Sequence, residues 1–111
     1  MPEFMKAISY VELEEGTIQA VRINGEAVAL YKIAGQVYAT SEMCSHDACS
    51  LEDFGKIVEG DQVECICHGA RFRIKTGEVT RLPAETPLKS YPVKVEGDEV
   101  WIEVPDNEAE R

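Results

Sequence analysis

The chain reads as an all-β protein, one compact antiparallel domain, on three observations. Residues 17–40 alternate in hydropathy with a two-residue period and are cut by Asn24-Gly25 and Ala34-Gly35, turn pairs of the kind that join hairpin strands. A second alternating run follows at 71–75. A third pair of apolar runs, 91–95 and 100–104, flanks the acidic turn Glu96-Gly97-Asp98-Glu99.

Within the first run, Val28 and Leu30 fall on one face, and Ala27, Ala29, Tyr31 and Ile33 on the other, as a strand requires. In the second, Phe72 and Ile74 face one way while Arg71, Arg73 and Lys75 make a basic outer face, and Thr76-Gly77 then turns the chain. Arg71, Arg73 and Lys75 could serve as a docking stripe, but a plain solvent face is the better expectation. Any helix should be short and lie at Leu51–Phe54. There is no internal repeat, low-complexity tract or linker.

At 111 residues and 44% hydrophobic, the chain can build one core and has no room for a separate substrate domain. A formal charge of −10 disfavours nucleic acid and anionic membranes as partners and favours a basic protein surface. No stretch approaches the roughly 20 apolar residues of a membrane span, so a cytoplasmic location is the default expectation. Residues 1–4 precede a second methionine, Met5, and could be an expression scar. They are given no structural weight, and 106–111 are expected to form a flexible tail.

The chemistry is carried by two short pairs: Cys44-Ser45-His46 and, after 18 intervening residues, Cys65-Ile66-Cys67-His68. A Rieske [2Fe-2S] centre takes two thiolates on one iron and two imidazoles on the other, and the order Cys, His, Cys, His supplies one of each from two loops. Four cysteines could instead form two disulfides, but Cys44 and Cys65 sit in ligand spacing beside the chain's only two histidines. Zinc would also accept two Cys and two His, yet the usual finger places both cysteines first. Exchanging thiolate for imidazole removes negative charge and makes an electron easier to accept, giving potentials of roughly −150 to +300 mV against about −400 mV for plant-type ferredoxins. There is no phosphate-binding glycine loop, no Gly-x-Ser-x-Gly and no third histidine to act as a base.

With Thr76-Gly77, Pro83-Ala84, Pro87-Leu88 and the closing hairpin, these loops resemble the bacterial Rieske-type ferredoxins of ring-hydroxylating dioxygenases and related oxygenases, over about residues 6–104. The resemblance implies a Rieske fold: an antiparallel β-barrel or sandwich base bearing a small cluster-binding subdomain, here 42–84 within a domain of 5–105. It implies one [2Fe-2S] cluster per chain, with Cys44 and Cys65 on the inner iron, His46 and His68 on the outer iron, and Leu82-Pro83 in the loop covering the cluster. It also implies an electron carrier, not an enzyme, that accepts electrons from a flavin-dependent ferredoxin reductase, passes them to a terminal Rieske oxygenase and works as a monomer. Leu51 and Pro83 are expected to make an apolar rim at the contact.

Cys49 and Cys67 depart from most such ferredoxins and resemble the disulfide pair of respiratory-complex Rieske proteins. A bridge would stabilise the domain by about 3 kcal/mol; the alternative is two buried thiols. Where the respiratory proteins carry a serine and a tyrosine that bond to cluster and cysteine sulfur, this chain has Ala70 and Phe72, so a potential toward the low end of the range is expected. Asp47 stands where quinone-oxidising proteins present an apolar residue, which argues against a quinol site. The rival assignment is a Rieske-like small subunit of a larger oxidoreductase, such as a nitrite or arsenite enzyme. The extra cysteines favour it.

Overall fold

A computed structural model describes residues 3–23, 25–42, 50–67, 69–81 and 88–104. Eleven strands are present among them: β1 (Glu3–Ser9), β2 (Ile18–Ile23), β3 (Glu26–Ile33), β4 (Gln36–Ser41), β5 (Gly55–Val58), β6 (Gln62–Cys65), β7 (Ala70–Arg73), β8 (Val79–Arg81), β9 (Ser90–Tyr91), β10 (Val93–Glu96) and β11 (Glu99–Val104). A 3-10 turn not foreseen from sequence spans Tyr10–Glu12, and one α-helical turn, α1 (Leu51–Phe54), lies where the sequence places it.

The strands form three antiparallel sheets, ordered β1-β11-β10, β2-β3-β4-β9 and β5-β6-β7-β8. Two cores separate them. Val28 and Leu30 of β3 pack with Ile23, Val37, Ala39, Tyr91, Ile8, Val100 and Ile102, joining the first two sheets. Ala29 and Tyr31, the alternate residues of β3, pack with Leu51, Val63, Cys65, Ala70, Phe72, Ile74 and Leu88, joining the middle sheet to the third. The two-residue period thus assigns each face of β3 to a different core, and 28–31 are buried on both sides.

Turn chemistry fixes the register of the middle sheet. Ala34 (φ 51°) and Gly35 (φ 79°) are both left-handed, as a two-residue type I′ turn requires. Ala34 is a costly occupant, and the Glu15 carboxylate supports it by accepting from the Ala34 and Gly35 amides, the latter at 3.0 Å. Ile23 and Glu26 pair across the other hairpin, whose Asn24 lies outside the described residues. Gly77 (φ 82°) admits no side chain: a Cβ there would sit 2.1 Å from the Leu88 carbonyl oxygen. Its own carbonyl accepts from the Leu88 amide at 2.9 Å, pinning Leu88 to the turn that follows β7.

Two expectations are corrected, and one hairpin is new. Glu3 and Phe4 belong to β1, in register with Val104 and Glu103, and the Phe4 ring lies 4.8 Å from Lys94 Nζ, so they carry structural weight denied them from sequence. Residues 91–95 are not one strand. Tyr91 pairs with Ala39 of β4, whereas Val93 pairs with Ile102 of β11, because Pro92 lacks the amide that a continuous ladder needs. The β5–β6 hairpin was not foreseen at all; its turn places Glu59 (φ 55°) and Gly60 (φ 81°) in left-handed conformations.

No described helix is long and apolar enough to cross a membrane. Residues 105–111, expected to form the tail, lie outside the described residues.

Candidate metal centre

The third sheet and α1 adjoin the expected ligand segments in the chain. Cys65 closes β6, faces Ala70 across the β6–β7 hairpin and is 1% exposed. The turn after it is set by Gly69, whose φ of 83° lets its amide donate to the Cys65 carbonyl at 2.8 Å. Side chains alternate as the chain enters this turn: Cys65 goes inward to the second core, and Ile66 goes outward, 54% exposed.

The two cysteines of the second pair have different chemistry. Cys67 is disulfide-bonded. Cys65 lies outside any disulfide and keeps its thiol. A sulfur in a disulfide cannot serve as a thiolate ligand, so this segment offers one inward thiol for iron, and it fits the group. The other expected ligands, Cys44, His46 and His68, lie outside the described residues, as do Cys49, Asp47, Leu82 and Pro83.

Ala70 and Phe72 are both fully buried in the second core beside Cys65. A methyl and a phenyl group donate no hydrogen bond, so this side of the thiol is apolar. Leu51 is fully buried in the same core and cannot form a contact rim. The exposed apolar groups here are Ile66 and Phe54, the latter 45% exposed, and the Ile66 amide donates to the Phe54 carbonyl at 2.8 Å.

Around this surface the charge is acidic. Glu52 and Asp53 are exposed on α1. The basic face of β7 is neutralised: Arg71 bonds to Glu59 and Glu64 at 3.2 and 3.3 Å, and Arg73 to Asp61 at 3.3 Å. Those guanidinium groups are held within the third sheet, in accord with a solvent face instead of a docking stripe.

Sequence reasoning passed over Glu42, a buried carboxylate one residue before the first ligand loop. Its side chain accepts from the Ser50 hydroxyl and, at 3.2 Å, from the Glu52 amide. An acid at the exit of a β-strand, followed by a serine just before a helical turn, was the available signal.

The fold, the inward thiol and the paired ligand motifs define an iron–sulfur electron-transfer protein. Residues 3–92 match the family model for the Rieske [2Fe-2S] domain, and the chain belongs to that family. It is 35% identical over 102 residues to the ferredoxin component of the naphthalene 1,2-dioxygenase system of Pseudomonas aeruginosa, covering 92% of this chain and 96% of that one. It is 40% identical over 94 residues to the ferredoxin component of the p-cumate 2,3-dioxygenase system of Pseudomonas putida, covering 84% and 79%. Among solved structures, the ferredoxin of carbazole 1,9a-dioxygenase from Nocardioides aromaticivorans IC177 superposes with a TM-score of 0.84 at 30% identity, covering 89% and 95%. A chain of the complex of reduced oxygenase and oxidized ferredoxin in carbazole 1,9a-dioxygenase gives 0.82 at 33% identity, covering 90% and 92%. The chain is a ferredoxin-type one-electron carrier with a Rieske [2Fe-2S] cluster, and the zinc reading falls.

Proposed function

We propose that the chain accepts electrons from a flavin-dependent ferredoxin reductase and delivers them, as a cytoplasmic monomer, to the Rieske centre of a terminal oxygenase acting on an aromatic ring. The observation that carries this reading is Cys65, a buried thiol at the end of β6, in the Cys65-Ile66-Cys67-His68 segment where the resemblance to Rieske ferredoxins leads one to expect a ligand. Cys44 and Cys65 hold the inner iron, His46 and His68 the outer one, and Leu82-Pro83 belong to the covering loop. The functional unit is the domain 5–105, extended at its start by Glu3 and Phe4, with the cluster-binding subdomain at 42–84. When bound, the cluster takes up and releases one electron. The chain's own residues exclude water around the inner ligands and leave the imidazole side toward the partner.

Cys49 is proposed as the partner of Cys67, with a non-reducing peptide map as the direct check. Ile66 and Phe54, together with Pro83, replace Leu51 as the apolar contact, and Glu52 and Asp53 supply the acidic surround that steers a basic partner.

The test is an EPR spectrum of the reduced protein alongside His46→Cys and His68→Cys variants. A mixed sulfur and nitrogen signature in the parent, altered in both variants, is expected. An all-cysteine signature in the parent, or a variant that leaves the spectrum unchanged, refutes the ligand assignment.

A further inference from the structure

Glu42 is, with Thr40, one of the two buried polar or charged residues among those described, at 5% exposure. A carboxylate is expensive to bury unless its oxygens are hydrogen-bonded. Both described donors to its side chain come from beyond residues 43–49: the Ser50 hydroxyl and the Glu52 backbone amide, each to Oε2. The main chain adds a third link across the same gap, from the Leu51 amide to the Glu42 carbonyl at 2.9 Å.

These bonds exchange the usual capping roles. Ser50 is the N-cap of α1 yet makes no side-chain cap bond. Its hydroxyl is turned to Glu42, and the glutamate, eight positions upstream, caps the turn in its place by accepting from Glu52. Both feet of the segment are also tied to the middle sheet. The Glu42 amide donates to the Ala27 carbonyl of β3 at 3.0 Å, and Glu52 Oε2 accepts from the Ala20 amide of β2 at 3.2 Å. Behind Glu42, the hydroxyls of Tyr31 and Thr40 are 2.7 Å apart, and Thr40 donates to the Ser41 carbonyl at 2.9 Å, fixing the strand end from which Glu42 projects.

We propose that Glu42 is a positioning residue, a clasp that ties the end of β4 to the start of α1 and so fixes the spacing of the two chain ends between which Cys44 and His46 lie. The inference rests on the proposed ligand role of those two residues. Closing a loop before its metal arrives removes ordering cost from binding, so opening the clasp eases cluster loss and broadens the range of ligand geometries.

The experiment uses the cluster-loaded protein and the variants Glu42→Ala, Glu42→Gln and Ser50→Ala. The readouts are iron release to a chelator, the EPR line width of the reduced state, and the thermal midpoint. Glu42→Ala should release iron about tenfold faster with broadened lines, and Ser50→Ala about threefold faster. Glu42→Gln should stay within about twofold of the parent, because its amide oxygen still accepts from both donors. The proposal is overturned if Glu42→Gln fails as badly as Glu42→Ala, which would make charge and not closure the cause. It is equally overturned if the variants lower the thermal midpoint while leaving line width and iron release unchanged. Should Glu42→Ala not fold, parent-like iron release from Ser50→Ala overturns it. A parent protein lacking the mixed-ligand signature would instead refute the ligand assignment.

Discussion

At the scale of single residues, the surroundings of Cys65, the proposed inner ligand, are expected to tune the electron affinity of the cluster. Ala70 and Phe72 give the buried thiol an apolar lining. Introducing hydroxyls there by Ala70→Ser with Phe72→Tyr should raise the midpoint potential by about 40 mV for each new bond, taking a hydrogen bond as roughly 1 kcal/mol and a tenfold shift as about 59 mV. A redox titration checks this, and an unchanged or lower potential refutes it. Tyr31 makes a second, pH-dependent case. Burial pushes its phenol well above the ordinary range, and the nearby Glu42 charge adds to the shift while the Thr40 bond opposes it. The folded state therefore holds this proton more tightly than the unfolded chain does. Its stabilising contribution is complete below about pH 10, the unfolded tyrosine value, and declines as pH rises above that. Tyr31→Phe should lose about 1 kcal/mol at neutral pH with the Thr40 bond, and should show a shallower alkaline decline in denaturant midpoint.

Elements were legible where periodicity and turn residues agreed. Three of the four strands of the middle sheet and both faces of β3 follow from alternation and Gly-bearing pairs, and the helical turn lies at Leu51–Phe54 as expected. The β5–β6 hairpin escaped because its strands are four residues each, too short for a period to declare itself, although Gly60 lies between Ile57 and Val63 as a turn signal. Leu51 was misread as a rim residue for a different reason. A four-residue helix gives no periodicity from which to tell its inward side, and tertiary packing alone buries that leucine. Glu42 was passed over for a third reason: an acid at a strand exit is a weak local signal, its partners are eight and ten positions away, and a sequence does not show which loops close. Where local chemistry and conformation conflict, improvement is available. Ala34→Asn, in a left-handed turn position that asparagine tolerates, should stabilise the protein by about 0.5–1 kcal/mol in a urea titration.

For the molecule as a whole, charge and exposed apolar surface act together. A net charge of −10 draws a basic partner in, and Ile66 with Phe54 offers an area from which water can be expelled on contact. Electron transfer to the terminal oxygenase should therefore slow as ionic strength rises, and Ile66→Lys should slow it about tenfold or more at fixed salt while the midpoint potential stays within about 20 mV. Stopped-flow transfer rates set beside a potential measurement separate the two effects. A rate loss matched by a potential shift would mean that the substitution had disturbed the cluster and not the contact.

Because β3 gives alternate side chains to opposite cores, the iron-bearing half cannot be cut away as a self-sufficient module. Transplanting that half onto another scaffold would strip Ala29 and Tyr31 of their cover or leave the graft without its floor. Chimeras between ferredoxins of this kind must carry that strand along with the loops, and natural recombination faces the same constraint.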